Sequence, residues 1–102
     1  MSDYIKVANA SDLPEGKGMR VHAGSRTLTL FNIDGEFYAI DEWCPHETGP
    51  LSGGYIDGNL VMCPFHFAEF DIRTGRVMSP PATRDVKSYS VRRTGDDVEV
   101  AP

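Results

Sequence analysis

The stretch CPHETGPLSGGYIDGNLVMCPFH, residues 44–66, contains both cysteines of the 102-residue chain and two of its three histidines. Each end of the stretch carries one thiol and one imidazole, in Cys44-Pro45-His46 and in Cys63-Pro64-Phe65-His66. The proline after each cysteine restricts the backbone at that point. Thiolates and imidazoles are common protein ligands for zinc and for iron. The stretch therefore predicts a metal centre held by two short loops.

Outside these loops the chain reads as short strands separated by turns. The predicted strands are residues 4–7, 19–23, 26–33, 36–40, 59–63, 68–72, 76–78, 87–92 and 98–101. Gly24-Ser25 and Asp34-Gly35 provide hairpin turns, whereas residues 48–59 read as a turn-rich stretch. Helical periodicity is weak throughout, although residues 11–16 could hold one short turn capped by Ser11 or Asp12. This pattern predicts an all-β fold, an antiparallel sandwich or barrel.

Length and composition indicate a single small domain. The hydrophobic fraction is 40% and the charged fraction is 25%, both ordinary for a globular protein. Apolar runs are too short to span a bilayer, and residues 1–16 lack the order of a secretory signal. We therefore expect a cytoplasmic protein without a membrane partner. A lone disulfide is disfavoured in that compartment, so metal binding is the better interpretation of Cys44 and Cys63.

The net charge also limits the choice of partner. It is −5 at neutral pH, which argues against binding to nucleic acid. An acidic surface suits transient docking to a basic patch on another protein. Asp41, Glu42, Glu47 and Glu69 make the ligand region acidic, either as solvated surface charge or as part of a docking surface.

The spacing Cys44-x-His46, then residues 47–62, then Cys63-x-x-His66 resembles the signature of the Rieske family. The likeness extends to the glycine-containing residues 49–54, the strand and turn at 70–75, and the proline-containing loop Ser79-Pro80-Pro81. It implies a single Rieske domain over residues 1–102. A small cluster-binding subdomain, about residues 41–75, would be inserted into a β base.

The resemblance also implies the cofactor, one Rieske-type [2Fe–2S] cluster per chain. One iron would take the thiolates of Cys44 and Cys63, and the other would take the imidazoles of His46 and His66. Neutral imidazoles place Rieske potentials at roughly −150 to +300 mV, against about −400 mV for plant-type ferredoxins. A zinc site with the same four donors is the alternative, although zinc sites usually pair cysteines with cysteines and histidines with histidines.

This sequence departs from the high-potential branch of the family at four positions. That branch joins its two loops by a disulfide, where this chain has Gly49 and Phe65. It also carries serine and tyrosine hydroxyls that hydrogen-bond cluster sulfur, where this chain has Ala68 and Phe70. Fewer donors leave the reduced charge less stabilised, so we expect a potential of about −150 mV, the low end of the Rieske range.

By resemblance, the function is one-electron transfer by a soluble ferredoxin, not catalysis. Such a monomeric carrier would pass electrons from an NAD(P)H-dependent flavoprotein reductase to the terminal oxygenase of a bacterial ring-hydroxylating system. An oxygenase needs a further iron with two histidines and one carboxylate, and only His22 remains for it. The alternatives are a small Rieske subunit of a larger oxidoreductase, such as a nitrite reductase, and a zinc-stabilised interaction module.

Four further side chains near or outside the loops admit competing interpretations. We expect His22 to be an exposed or hydrogen-bonded residue of a strand, not a ligand. Trp43 would pack beside the cluster or relay electrons. Phe65 and Phe67 would shield the cluster or form part of a docking surface.

Overall fold

The computed structural model describes residues 3–45, 49–65, 67–79 and 84–102. Within these ranges the chain is almost entirely β, as predicted. The strands are β1 Ile5–Asn9, β2 Lys17–Ala23, β3 Arg26–Ile33, β4 Glu36–Asp41, β5 Tyr55–Asp57, β6 Leu60–Met62, β7 Glu69–Asp71, β8 Val77–Ser79, β9 Ser88–Thr94 and β10 Asp97–Ala101. Strand β5 lies within residues 48–59, the stretch that we predicted to be turn-rich, and the sequence analysis did not predict this strand.

The larger sheet has six antiparallel strands in the order β1-β10-β9-β4-β3-β2. Both predicted hairpins are confirmed: Gly24-Ser25 joins β2 to β3, and Asp34-Gly35 joins β3 to β4. Asp34 and Gly35 both have positive φ, 55° and 86°. Two consecutive positive φ angles are what a two-residue hairpin turn needs to follow the twist of its strands.

Strand β3 is buried from Leu28 to Ile33 and separates two hydrophobic cores. Leu28 and Leu30 belong to one core, which they share mainly with residues of β2, β4, β9 and β10. Phe31 and Ile33 point into the other core. Side chains on alternate positions of a strand face opposite sides, so burial of both faces places β3 at the centre of the fold.

The smaller sheet covers the second core. Its four antiparallel strands follow the order β5-β6-β7-β8 and lie between β4 and β9 in the sequence. Val61 on β6, with Phe70 and Ile72 from the β7 region, is fully buried in the core of Phe31 and Ile33. The two cysteines belong to this same core.

Gly75, in the turn between β7 and β8, links the smaller sheet to the segment before β9 by a backbone hydrogen bond. Its carbonyl accepts a hydrogen bond from the Val86 N–H at 2.8 Å. Its φ is +79°, and a Cβ at this position would lie 2.1 Å from the Val86 carbonyl oxygen. Only glycine fits both the backbone conformation and the close approach.

The predicted short turn exists, but its position and cap differ from the prediction. A 3-10 turn covers Ala10–Asp12, starts after Asn9, and has no side-chain cap at its N-terminus. The N–H and hydroxyl of Ser11 instead donate to the carboxylate of Asp96, at 2.9 and 3.0 Å. Ser11 therefore fastens the turn to the β9–β10 hairpin, a contact between distant parts of the sequence.

A second 3-10 turn, Leu51–Gly53, precedes β5. Across the described residues, no helix has the length and apolar character needed to cross a membrane.

Candidate metal centre

Each cysteine begins a loop of the same size and closure. In loop 1, residues 44–49, the Cys44 N–H donates to the carbonyl of Gly49 at 2.9 Å. In loop 2, residues 63–68, the Cys63 N–H donates to the carbonyl of Ala68 at 2.7 Å. Loop 1 follows β4 and loop 2 connects β6 to β7. His46 and His66, the other predicted ligands, lie within these loops in sequence but outside the described residues.

Both thiols lie in one apolar environment. Cys44 and Cys63 are each 1% exposed and belong to the core that includes Leu51, Val61 and Phe70. The structure therefore brings the two predicted cysteine ligands into the same core, where they are shielded from water.

Gly49 shows how closely the two loops approach each other. A Cβ added to Gly49 would lie 2.6 Å from the Sγ of Cys63 and 3.3 Å from the Cβ of Phe65. Loop 1 therefore lies directly against loop 2, and only a residue without a side chain fits there. By resemblance, positions 49 and 65 correspond to the disulfide of the high-potential branch. The two positions are neighbours here, with 3.3 Å between a Cβ at Gly49 and the Cβ of Phe65, slightly shorter than the roughly 3.5–4.5 Å of a disulfide.

Two other positions near the loops lack hydrogen-bonding side chains. Ala68 closes loop 2 and is 1% exposed, and Phe70 is fully buried in the core of the cysteines. A methyl group and a phenyl ring have no hydroxyl to donate to sulfur. Their location supports the expectation of a low potential, which stays a prediction.

Glu42 is not a surface charge, so the prediction for this residue is wrong. Its side chain is completely buried. One carboxylate oxygen accepts from the Thr29 hydroxyl at 2.6 Å and the Ser52 N–H at 2.8 Å. The other accepts from Arg20 Nε at 2.5 Å and the Ser52 hydroxyl at 2.6 Å. Burial raises the pKa of Glu42, but the hydrogen bonds from Ser52, Thr29 and Arg20 outweigh it and hold the pKa below its usual value.

Sequence reasoning missed the role of Glu42 because its donors are distant in the chain. They come from β2, β3 and the second 3-10 turn, and no local pattern brings them together. Asp41 and Glu69 also make internal contacts: Asp41 accepts from the Tyr89 hydroxyl at 2.6 Å, and Glu69 accepts from the Ser79 hydroxyl at 3.2 Å. Glu47 lies outside the described residues.

Three aromatic side chains next to the loops are exposed. Trp43, Phe65 and Phe67 are 45%, 49% and 59% exposed. The guanidinium of Arg20 lies over the Trp43 ring, 5.0 Å from its centroid. Phe67 has a positive φ of 64°, and its N–H donates to the Phe65 carbonyl in a tight turn. This exposure favours the docking interpretation of Phe65 and Phe67.

His22 is exposed on β2, as predicted, with Nδ1 3.4 Å from the Thr27 hydroxyl.

Comparison with known proteins identifies the family. Residues 3–90 match the sequence model of the Rieske [2Fe–2S] domain family. The chain belongs to the Rieske family. It is 39% identical over 98 residues to the biphenyl dioxygenase ferredoxin subunit of Pseudomonas sp. strain KKS102, an alignment that covers 95% of this chain and 90% of that protein.

Solved structures of Rieske ferredoxins share the fold. The ferredoxin of carbazole 1,9a-dioxygenase from Nocardioides aromaticivorans IC177 superimposes with a TM-score of 0.94 at 27% identity, covering 99% of both chains. A chain in the complex of reduced oxygenase and oxidised ferredoxin of carbazole 1,9a-dioxygenase gives a TM-score of 0.91 at 33% identity. That match covers 99% of this chain and 94% of the other.

The cofactor of this Rieske chain is a [2Fe–2S] cluster. The described residues fit such a group. Two buried thiols lie in adjacent loops, each closed by a hydrogen bond from the cysteine N–H to the carbonyl five residues later. At position 49 a side chain would collide with Cys63 Sγ, and the glycine there avoids this. Thiolates are the usual protein ligands of iron–sulfur clusters.

Proposed function

We propose that this chain is the ferredoxin component of a ring-hydroxylating dioxygenase system, a carrier that moves single electrons to a terminal oxygenase. The observation that carries the proposal is the pair of matching loops that bury Cys44 and Cys63 in one core. The proposal is also supported by two relatives that are named as a ferredoxin subunit and a ferredoxin component, because this chain aligns with 90% and 86% of their lengths.

We further propose that Cys44 and Cys63 ligate one iron and that His46 and His66 ligate the other. The burial of Cys44 and Cys63 in one core supports the pairing of the two thiolates. Each loop also carries one histidine in its sequence, which leaves an imidazole from each loop for the second iron. When bound, the cluster supplies a one-electron couple. The chain's own residues hold the thiolates, keep water from them and stiffen each loop through Pro45 and Pro64.

The protein is an electron-transfer component and not an enzyme. Its relatives are named as ferredoxin components of oxygenase systems. The sequence agrees, because the four proposed ligands leave only His22 among the histidines. A mononuclear oxygenase iron needs two histidines and a carboxylate.

Two partners follow from this function, a flavoprotein reductase that supplies electrons and an oxygenase that accepts them. A complex between a related ferredoxin and its oxygenase supports the second. The exposed rings of Trp43, Phe65 and Phe67 border the loops and offer apolar contact area. The net charge of −5 would steer the carrier toward a basic surface. A carrier has to bind each partner briefly and then leave it, and a small monomer can do so. We place this monomer in the cytoplasm, where NAD(P)H-dependent reductases operate.

The domain organisation that we propose is one Rieske domain over residues 1–102, with a cluster-binding subdomain of about residues 41–75. Strands β5 to β8 support it, since they form a separate sheet inserted between β4 and β9.

The proposal is tested by cofactor analysis and a redox titration of the purified holoprotein. We expect about two irons and two acid-labile sulfides per chain, and reversible uptake of one electron at about −150 mV. Zinc without sulfide would contradict the proposal in favour of a structural metal site. A midpoint above zero would contradict the low potential expected from the missing hydroxyls at Ala68 and Phe70.

A further inference from the structure

Glu42 closes the base of loop 1 through both its backbone and its side chain. Its carbonyl accepts from the Leu51 N–H at 2.7 Å, and its carboxylate accepts from the N–H and hydroxyl of Ser52. The segment between these contacts, residues 43–50, contains Cys44. Glu42 therefore ties together the two ends of the segment that presents the first proposed ligand.

The same carboxylate connects loop 1 to the six-stranded sheet. Thr29 on β3 donates one hydrogen bond to it, and Arg20 on β2 donates another. The Arg20 side chain is 46% exposed, whereas that of Glu42 is completely buried. Arg20 thus lies between the buried carboxylate and the ring of Trp43, which directly precedes Cys44.

The donors around Glu42 identify it as a buried negative charge. The backbone N–H of Ser52 and the guanidinium of Arg20 can only donate, and the two hydroxyls complete a set of four hydrogen bonds. An ionised carboxylate accepts all four. A glutamine would have one acceptor oxygen and would turn an N–H₂ group toward donors.

The carboxylate lies on the side of β3 that faces the core of the cysteines, since its donor Thr29 shares a face of β3 with Phe31 of that core. Two residues span at most about 7 Å of extended chain, which bounds the distance between the Cα atoms of Glu42 and Cys44. Charges that share a buried environment interact with less screening than charges in water. A fixed negative charge on the side chain two residues before Cys44, on the side of the sheet that faces the cysteines' core, therefore opposes the arrival of a further negative charge.

We propose that Glu42 is a positioning residue for loop 1 whose buried charge also lowers the reduction potential of the cluster, and that Arg20 partly offsets this effect. The inference rests on the proposed one-electron function. Reduction adds one negative charge at the site, so the Glu42 carboxylate disfavours the reduced state and the Arg20 guanidinium favours it. The two residues form one ion pair, yet their removal has opposite consequences.

The test is a potentiometric titration of holoprotein with Glu42→Gln or Arg20→Gln at fixed pH and ionic strength. We expect Glu42→Gln to favour the reduced state by about three- to tenfold, tenfold being about 59 mV for one electron. Arg20→Gln shifts the equilibrium in the other direction. Loosening of loop 1 alone does not produce opposite signs, and the half-exposed position of Arg20 keeps the test available if Glu42→Gln folds poorly.

Glu99→Gln is the matched control. Glu99 accepts from Arg92 Nε at 2.6 Å, so the variant removes the same charge from a similar pair. The pair lies on β9 and β10, whose buried side chains belong to the core without the cysteines. The inference is overturned if Glu42→Gln shifts the potential no more than Glu99→Gln, or if Glu42→Gln and Arg20→Gln shift it in the same direction. Failure of the unaltered protein to take up one electron would instead contradict the proposed function.

Discussion

At the scale of single residues, close approach decides which side chains the loops tolerate. Gly49 lies against the thiol of Cys63, and Ala68 closes loop 2 with only a methyl group. The sequence contains the two cysteines in a recognisable spacing, so they could be predicted as ligands. The contact between Gly49 and Cys63 could not be predicted, because it depends on how two separate loops pack together.

Replacement of Gly49 by alanine should weaken both folding and cluster binding. The new Cβ would lie 2.6 Å from Cys63 Sγ, and overpacking of a buried site costs about 1–3 kcal/mol. We expect lower iron content per chain and a lower unfolding midpoint in urea. Gly53→Ala is the control, since its Cβ would meet nothing closer than 3.9 Å. Equal iron content and stability in the two variants would contradict the close contact.

Replacement of Ala68 by serine should raise the reduction potential. The hydroxyl would enter the position from which the high-potential branch donates to cluster sulfur, and such a donor stabilises the reduced charge. A hydrogen bond to a charged group contributes about 1.5–3 kcal/mol. Voltammetry of the two holoproteins measures the change. An unchanged or lower potential would show that this position does not reach the sulfur.

At the scale of strands and turns, the alternation of apolar and polar side chains and the turn residues were sufficient to predict the β2–β3 and β3–β4 hairpins of the six-stranded sheet. They were insufficient for β5, which is three residues long and bordered by Gly54 and Gly58. Such a strand depends on pairing with β6 more than on its own sequence. Glu42 was misplaced for a related reason: a charged residue after a strand normally faces solvent, and its burial depends on donors from three other elements.

Gly75 should tolerate no side chain, because it joins the smaller sheet to Val86. Alanine there would adopt an unfavourable positive φ, at about 1–2 kcal/mol, and would also contact the Val86 carbonyl. Gly95→Ala isolates the second effect, since Gly95 has a φ of +62° and open space around its Cβ position. We expect Gly75→Ala to lower the free energy of unfolding by clearly more than Gly95→Ala. Similar values would contradict the tight junction.

Tyr89 should make the contact between β4 and β9 sensitive to alkaline pH. Burial and the hydrogen bond to Asp41 raise the pKa of Tyr89 to about 12, from an ordinary value of 10.0. Its stabilising contribution is therefore complete below pH 10 and is lost as the pH rises toward 12. Tyr89→Phe should cost about 0.5–1.5 kcal/mol at neutral pH.

Urea unfolding of both proteins at a series of pH values measures this effect. The stability difference between the unaltered protein and Tyr89→Phe should shrink from pH 10 to pH 12. Tyr55→Phe, at a 64% exposed position, serves as control. A difference that stays constant over this range would contradict the assignment.

Across the molecule, both sheets contribute residues to the metal centre. The six-stranded sheet supplies β4, Arg20 and Thr29, and the four-stranded sheet supplies loop 2. Loop 1 and loop 2 meet at Gly49 and Cys63, and the residues next to this contact include the exposed rings of Trp43, Phe65 and Phe67. This arrangement suits a carrier, since the thiols are buried while the border of the loops stays accessible to a partner.

EPR spectroscopy of the dithionite-reduced holoprotein distinguishes ligation of one iron by His46 and His66, with Cys44 and Cys63 on the other, from every other assignment of the ligands. Nitrogen ligation of the reducible iron predicts the low average g value of a Rieske centre. Replacement of either histidine by alanine should abolish that signal, while His22→Ala leaves it intact. A higher average g, typical of a cluster with four cysteine ligands, or a Rieske signal that survives loss of both His46 and His66, would contradict ligation of the cluster by these two histidines.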